Sequence, residues 1–166
     1  FNMIDVGEKN ITKRVAKASG KIHLPRDVYL MVRDKKLPKG DAIGLGEVSG
    51  IMSAKKVSDL IPLCHQINLD LVRVNFEFHD QENSITAHSE VVTHGKTGAE
   101  IEAIVAVSQS LITIYDLTKM FSPEITIGQI PWLTRSLMTT TVKVRPSNGS
   151  FSDKDGDGLG LFVRCQ

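Results

Sequence analysis

Asp116 and Lys119 stand three residues apart in the run Ile-Tyr-Asp-Leu-Thr-Lys over 114–119. On a helix that spacing makes them neighbours on one face. The pair reads either as a surface ion pair or as an acid and base placed for proton transfer. At the other end of the same stretch, His94-Gly95-Lys96-Thr97-Gly98 leads into Glu100 and Glu102. Lys96 beside two glycines at a helix start suits an anion, because free backbone N–H groups and the helix dipole point outward there; a capping loop is the plainer alternative. The full Gly-x-x-x-x-Gly-Lys-[Ser/Thr] phosphate loop is absent. Charge at both ends of one segment suggests one site.

Other chemistry-bearing residues are scattered. Arg14 lies among Lys9, Lys13, Lys17 and Lys21 in a basic opening region that faces solvent or supplies a bidentate fork for phosphate. Cys64-His65 sits at a helix-to-strand junction without the ligand spacing that zinc needs. His65 there is a structural side chain, a general acid or a substrate donor. Asp153 to Gly158 begins like a calcium-binding EF-hand loop, but the twelfth position is Arg164 where a bidentate glutamate is required, so no standard EF-hand is expected.

The elements that must position these residues follow from periodicity. Val72, Val74, Phe76 and Phe78 alternate with polar residues, Asp80 to Asn83 make a turn, and Ile85, Ala87, Ser89 and Val91 alternate on the return: a hairpin. Ile101, Ile104, Val105, Leu111, Ile112 and Tyr115 predict a long helix within 99–120, which Pro123 stops before a strand resumes at Ile125-Thr126-Ile127. Earlier, Lys21 to Leu24 has strand character, Pro25 opens a helix through Val32, and Asp41 caps a second helical stretch reaching Val57 and stopped by Pro62. Gly44, Gly46 and Gly50 inside that stretch oppose helix unless they permit close packing. The order β-α-β-β-α-β is the ferredoxin-like, or split βαβ, arrangement: an α+β fold whose antiparallel sheet carries its helices on one face and leaves the other open to oligomerisation. The expected division is a domain over 1–133 and a loosely ordered tail over 134–166, where Thr, Ser, Asp and Gly accumulate.

A chain of 166 residues with 41% hydrophobic and 23% charged residues suits one globular domain. Its apolar runs are too short for a membrane span, and a net charge of +1 gives no reason to expect nucleic acid. Two distant cysteines, Cys64 and Cys165, favour reduced thiols in an intracellular protein. The chain opens at Phe1, so it reads as a fragment or processed product.

Several blocks together resemble the molybdenum cofactor biosynthesis protein C family, the cyclic pyranopterin monophosphate synthases. They are Met3 to Val6, Lys39-Gly40-Asp41, Gly50-Ile51 with Ala54-Lys55, Asp59 to His65, Gly95 to Ala103, and Leu111 to Lys119. Leu-Ile-Pro-Leu-Cys-His and Gly-Lys-Thr-Gly-x-Glu-x-Glu-Ala, in this order and spacing, carry the specificity. The resemblance implies an enzyme, a phosphorus–oxygen lyase that converts 3',8-cyclo-7,8-dihydroguanosine 5'-triphosphate to cyclic pyranopterin monophosphate and releases pyrophosphate. It implies Asp116 and Lys119 as the acid/base pair, His65, Glu100 and Glu102 lining the pterin-forming site, and Arg14 and Lys39 near the triphosphate; Lys96 joins the substrate-binding candidates on its own place at the helix start. It further implies a homohexamer, a trimer of dimers with interfacial sites. No cofactor is required; magnesium accompanies the substrate phosphates at most, and neither nucleic acid nor membrane is a partner. The location would be cytoplasmic in a prokaryote or the mitochondrial matrix in a eukaryote.

One departure stands out. Where the family reads a Lys-Ser-Gly-Gly-Lys-Ser-Gly type segment, this chain has Arg135 to Thr141, with Arg135 at the first lysine position and Thr139 at the second. Lys143 is the candidate substitute. The alternative reading is therefore a catalytically impaired member that binds a nucleotide or a partner subunit. An RNA-binding module is disfavoured, since the outward strand residues lack an aromatic platform.

Overall fold

The computed structural model describes the backbone of residues 1–137 and 140–143, and side chains through residue 128. The elements are β1 (Thr12–His23), α1 (Arg26–Arg33), α2 (Ala42–Ala54), α3 (Val57–Leu60), β2 (Leu71–His79), β3 (Ser84–Gly95), α4 (Glu100–Thr118), β4 (Thr126–Leu137) and β5 (Thr140–Lys143). The strands form one sheet in the order β2-β3-β1-β4-β5, with each neighbouring pair antiparallel. The helices lie on one side of it, α4 against β1, β3 and β4, and α2 against β2 and α4. The α+β class expected from the sequence is the class observed.

The hairpin forms where alternation placed it. Leu71 faces Val92 and His79 faces Ser84 across β2 and β3, and Ile85, Ala87, Ser89, Val91 and Thr93 bury one face of β3. Its turn is locked from α1. The buried Tyr29 hydroxyl donates to Asp80 Oδ1 at 2.8 Å, Arg33 reaches the same oxygen at 3.1 Å, and Arg26 donates to the Asp80 carbonyl at 2.9 Å.

The opening strand corrects the sequence reading. Strand character was expected only from Lys21 to Leu24, but β1 spans 12 residues and is central, with Arg14, Ala16, Ala18, Gly20 and Ile22 inward and lysines on the other face. Ala16, Ala18 and Gly20 leave room for α4, which packs against this strand. The irregular register between Ser19 and Lys21, opposite the β4 segment containing Pro131, is a bulge of the kind that lets a proline sit in a strand.

Asp41 caps α2 as expected, its Oδ1 accepting from the Ile43 and Gly44 amides at 3.0 and 3.1 Å. The stretch then divides, with α2 ending at Ala54 and α3 forming a separate turn. The glycines of α2 admit α4. A Cβ on Gly50 would lie 2.2 Å from Ser110 Oγ and 2.8 Å from the Ala106 carbonyl, and Ser110 Oγ donates to the Gly46 carbonyl at 2.9 Å. By length and composition α4 could cross a bilayer, although no unbroken apolar run marks it in the sequence. Here it is the core helix, burying Ala103, Ala106, Val107, Leu111 and Ile114. β4 passes through the boundary expected after Leu133 and ends at Leu137. Thr139 and the tail from 144 onward, with the rejected calcium loop and Cys165, lie outside the described residues.

Candidate active site

The sequence candidates gather into two groups at opposite ends of α4. At its C-terminal end, Lys119 Nζ stands 2.7 Å from Asp116 Oδ1, as the three-residue spacing predicts. A second amine arrives from the turn before α2. Lys39 Nζ lies 3.5 Å from Asp116 Oδ2 and donates to the Asp116 carbonyl at 3.2 Å. That carbonyl belongs to the last turn of the helix, where carbonyls lack intrahelical partners, and both lysines are favoured there by the negative end of the helix dipole. Gly40, at φ 104°, makes the turn that presents Lys39, a conformation an L side chain adopts only with strain. The lysines hold the Asp116 carboxyl below its usual range, and Asp116 in turn raises Lys119. One carboxylate between two cations leaves a net positive, solvent-open group. Such a group can receive a phosphate and deliver a proton from Lys119.

At the N-terminal end the acids and their loop meet. Glu102 is 5% exposed, and burial pushes its carboxyl up to about 7, with its own backbone N–H opposing and Glu100 adding to the rise. Cys64 lies close enough to feel it: burial first and then the Glu102 charge raise the thiol, which makes it a poor nucleophile. Leu63, immediately before it, has φ 68°, so the strained turn that ends Ile-Pro-Leu sets the direction of Cys64 and the half-buried His65. Arg14 is buried on β1, with Nε donating to the Gly95 carbonyl at 3.3 Å and Nη2 approaching the Lys96 carbonyl at 3.5 Å. Lys96, expected to meet an anion, donates to the Gly7 carbonyl at 2.5 Å. The loop therefore joins the N-terminal arm to β1 and α4.

Within one chain the two groups stay apart. Glu102 and Asp116 are fourteen residues apart on a continuous helix, about 21 Å at 1.5 Å per residue. The sequence reading did not anticipate that Lys39 touches Asp116 or that the Glu102 charge reaches Cys64. Both relations are long-range, and periodicity carries no signal for them. Among the described residues no three His, Cys, Asp or Glu side chains converge as metal ligands.

A profile of the MoaC family matches residues 3–136. The chain is 44% identical over 128 residues to a cyclic pyranopterin monophosphate synthase of Clostridium botulinum (strain Alaska E43 / Type E3), a match covering 77% of this chain and 80% of that protein. It is 41% identical over 134 residues to a cyclic pyranopterin monophosphate synthase of Syntrophomonas wolfei subsp. wolfei, covering 81% and 85%. It is also 44% identical over 134 residues to a molybdenum cofactor biosynthesis bifunctional protein of Synechococcus elongatus, where the match covers 81% of this chain but only 42% of the longer protein.

Proposed function

The chain belongs to the MoaC family of molybdenum cofactor biosynthesis, and from that premise we propose that it is the synthase that turns 3',8-cyclo-7,8-dihydroguanosine 5'-triphosphate into cyclic pyranopterin monophosphate and pyrophosphate. The observation that carries the reading is the Lys39–Asp116–Lys119 group. Closing a cyclic phosphate on a triphosphate breaks one phosphoanhydride bond, forms one phosphate ester bond and expels pyrophosphate; the attacking hydroxyl loses a proton. Positive charge beside the phosphates stabilises the developing anion, and Lys119, held protonated by Asp116, is placed as the donor. As a base it must first lose that proton, which requires separation from Asp116. This makes Asp116 the residue that sets the protonation state of its partner.

The acids at the other end of α4 suit the ring. Carboxyl groups there can hydrogen-bond the N–H edge that a guanine-derived ring presents. Two half-sites about 21 Å apart on one helix support a site completed by a second chain, and thus the homohexameric assembly with interfacial sites. Leu45, Val48 and Met52, on one face of α2, are 47%, 55% and 55% exposed, an apolar stripe that a second copy would cover. The strand order supports the ferredoxin-like description, and the lyase class follows from the reaction. Magnesium does not fit the Asp116 group, where both carboxylate oxygens face lysines; it would travel with the substrate phosphates alone. The cytoplasmic or matrix location is part of the same proposal. The impaired-member alternative is not favoured, since the matched proteins are synthases and the match extends to residue 136.

The test is pyrophosphate release with mass detection of the product. The intact chain turns over; Lys119→Ala loses on the order of a hundredfold to ten-thousandfold in kcat, the range for a proton-transfer group. An assembled wild-type chain that binds the substrate without releasing pyrophosphate would overturn the reading.

A further inference from the structure

Gly98 has a reason for being glycine that is separate from backbone freedom. Its φ lies outside the left-handed region, so a side chain meets no backbone strain there. What it would meet is Glu100: a Cβ built on Gly98 falls 2.2 Å from Glu100 Oε2, 2.3 Å from Oε1 and 2.5 Å from Cδ. The carboxylate of Glu100 thus occupies the space of the missing side chain, folded back over the loop that precedes α4. Gly95, in the same loop, differs: a Cβ there meets nothing nearer than 3.6 Å.

The first turn of α4 carries two acids, and the Glu102 carboxyl, raised chiefly by burial, is raised further by the Glu100 charge. A Glu100 displaced from its seat would have to find other positions around the same turn. We propose that Gly98 is a positioning residue for the reaction: its empty side-chain position seats the Glu100 carboxylate and so fixes where that carboxylate meets the substrate ring. The inference rests on the reading that Glu100 belongs to the substrate site. It adds a residue that touches neither substrate nor phosphate and acts through another.

The experiment is a double-mutant cycle on the full chain with Gly98→Ala, Glu100→Gln and the combination, reading KM and kcat separately, with Gly95→Ala as the comparison. The expected result is a KM raised about tenfold by Gly98→Ala, a smaller shift from Gly95→Ala, and a combined variant no worse than Glu100→Gln alone, because the seat has no further effect once the carboxylate is gone. Gly98→Ser, bulkier at the same point, should raise KM at least as far. Thermal unfolding of each variant separates misfolding from displacement. Independent, multiplying effects of Gly98→Ala and Glu100→Gln, or a Gly98→Ala enzyme with wild-type KM, would overturn the proposal. A Glu100→Gln enzyme with wild-type KM would instead remove Glu100 from the site and with it the reading beneath.

Discussion

At the C-terminal end of α4 the Asp116 carboxylate is held between two amines, and its neighbours dictate how it responds to change. Asp116→Asn removes the charge that keeps Lys119 protonated, so the Lys119 pKa falls and the limb of the rate profile that depends on it moves to lower pH. A pH–kcat profile that is unmoved in Asp116→Asn would detach the two residues. Glu102 at the other end gives a prediction of opposite kind. Its folded-state value, about 7, lies above the unfolded one, so the native chain holds a proton there that the unfolded chain has released. The stability tied to Glu102 is therefore fully present below the usual glutamate range and is lost as pH rises to and through 7. Glu102→Gln should flatten the fall in unfolding free energy across that window, an effect on the order of a few kcal/mol between the limits. The depressed carboxyls of Asp41, Asp80 and Asp116 act in the reverse sense at lower pH, where protonation removes their stabilising partners, so the two windows separate.

At the scale of elements, the contact between α2 and α4 is set by absent side chains. Gly50→Ala gains about 1 kcal/mol of helix propensity but forces a methyl into Ser110 Oγ and the Ala106 carbonyl, an overpacking cost of about 1–3 kcal/mol. The tightest contact at Gly46 is 3.2 Å, so calorimetry should show a lower Tm for Gly50→Ala than for Gly46→Ala. Part of this architecture is readable in the chain. Alternation along 72–91 specified the hairpin, because one face of each strand is buried and the other wet. The Asp41 cap is likewise local, and the helix α4 was legible, but not its buried face: of the residues that marked its period only Leu111 is buried, while Ile112 and Tyr115 are exposed and small residues such as Ala103 and Ala106 face the core. Only the end of β1, at Lys21 to His23, was legible; the rest escaped because its inward positions are Arg14, Ala16, Ala18 and Gly20, residues without strand preference, set among lysines that read as a solvated run. Within the site, Asp116 and Lys119 were legible as a helical pair. Lys39 and Cys64 meet their partners only through the tertiary fold, as does the seat that Gly98 provides for Glu100.

The whole molecule turns on one geometric fact: a rigid helix holds the phosphate-suited group and the ring-suited group about 21 Å apart. If a single substrate uses both, they must come from different chains. The most direct test co-expresses two variants, each impaired at one end, Lys119→Ala and Glu100→Ala, and measures pyrophosphate release by the mixed assembly. Shared sites predict recovery of about a quarter of wild-type activity, since half of randomly paired dimers are mixed and one of their two sites carries neither substitution. Activity no higher than that of the separate variants, in an assembly shown to contain both chains, would contradict the shared site.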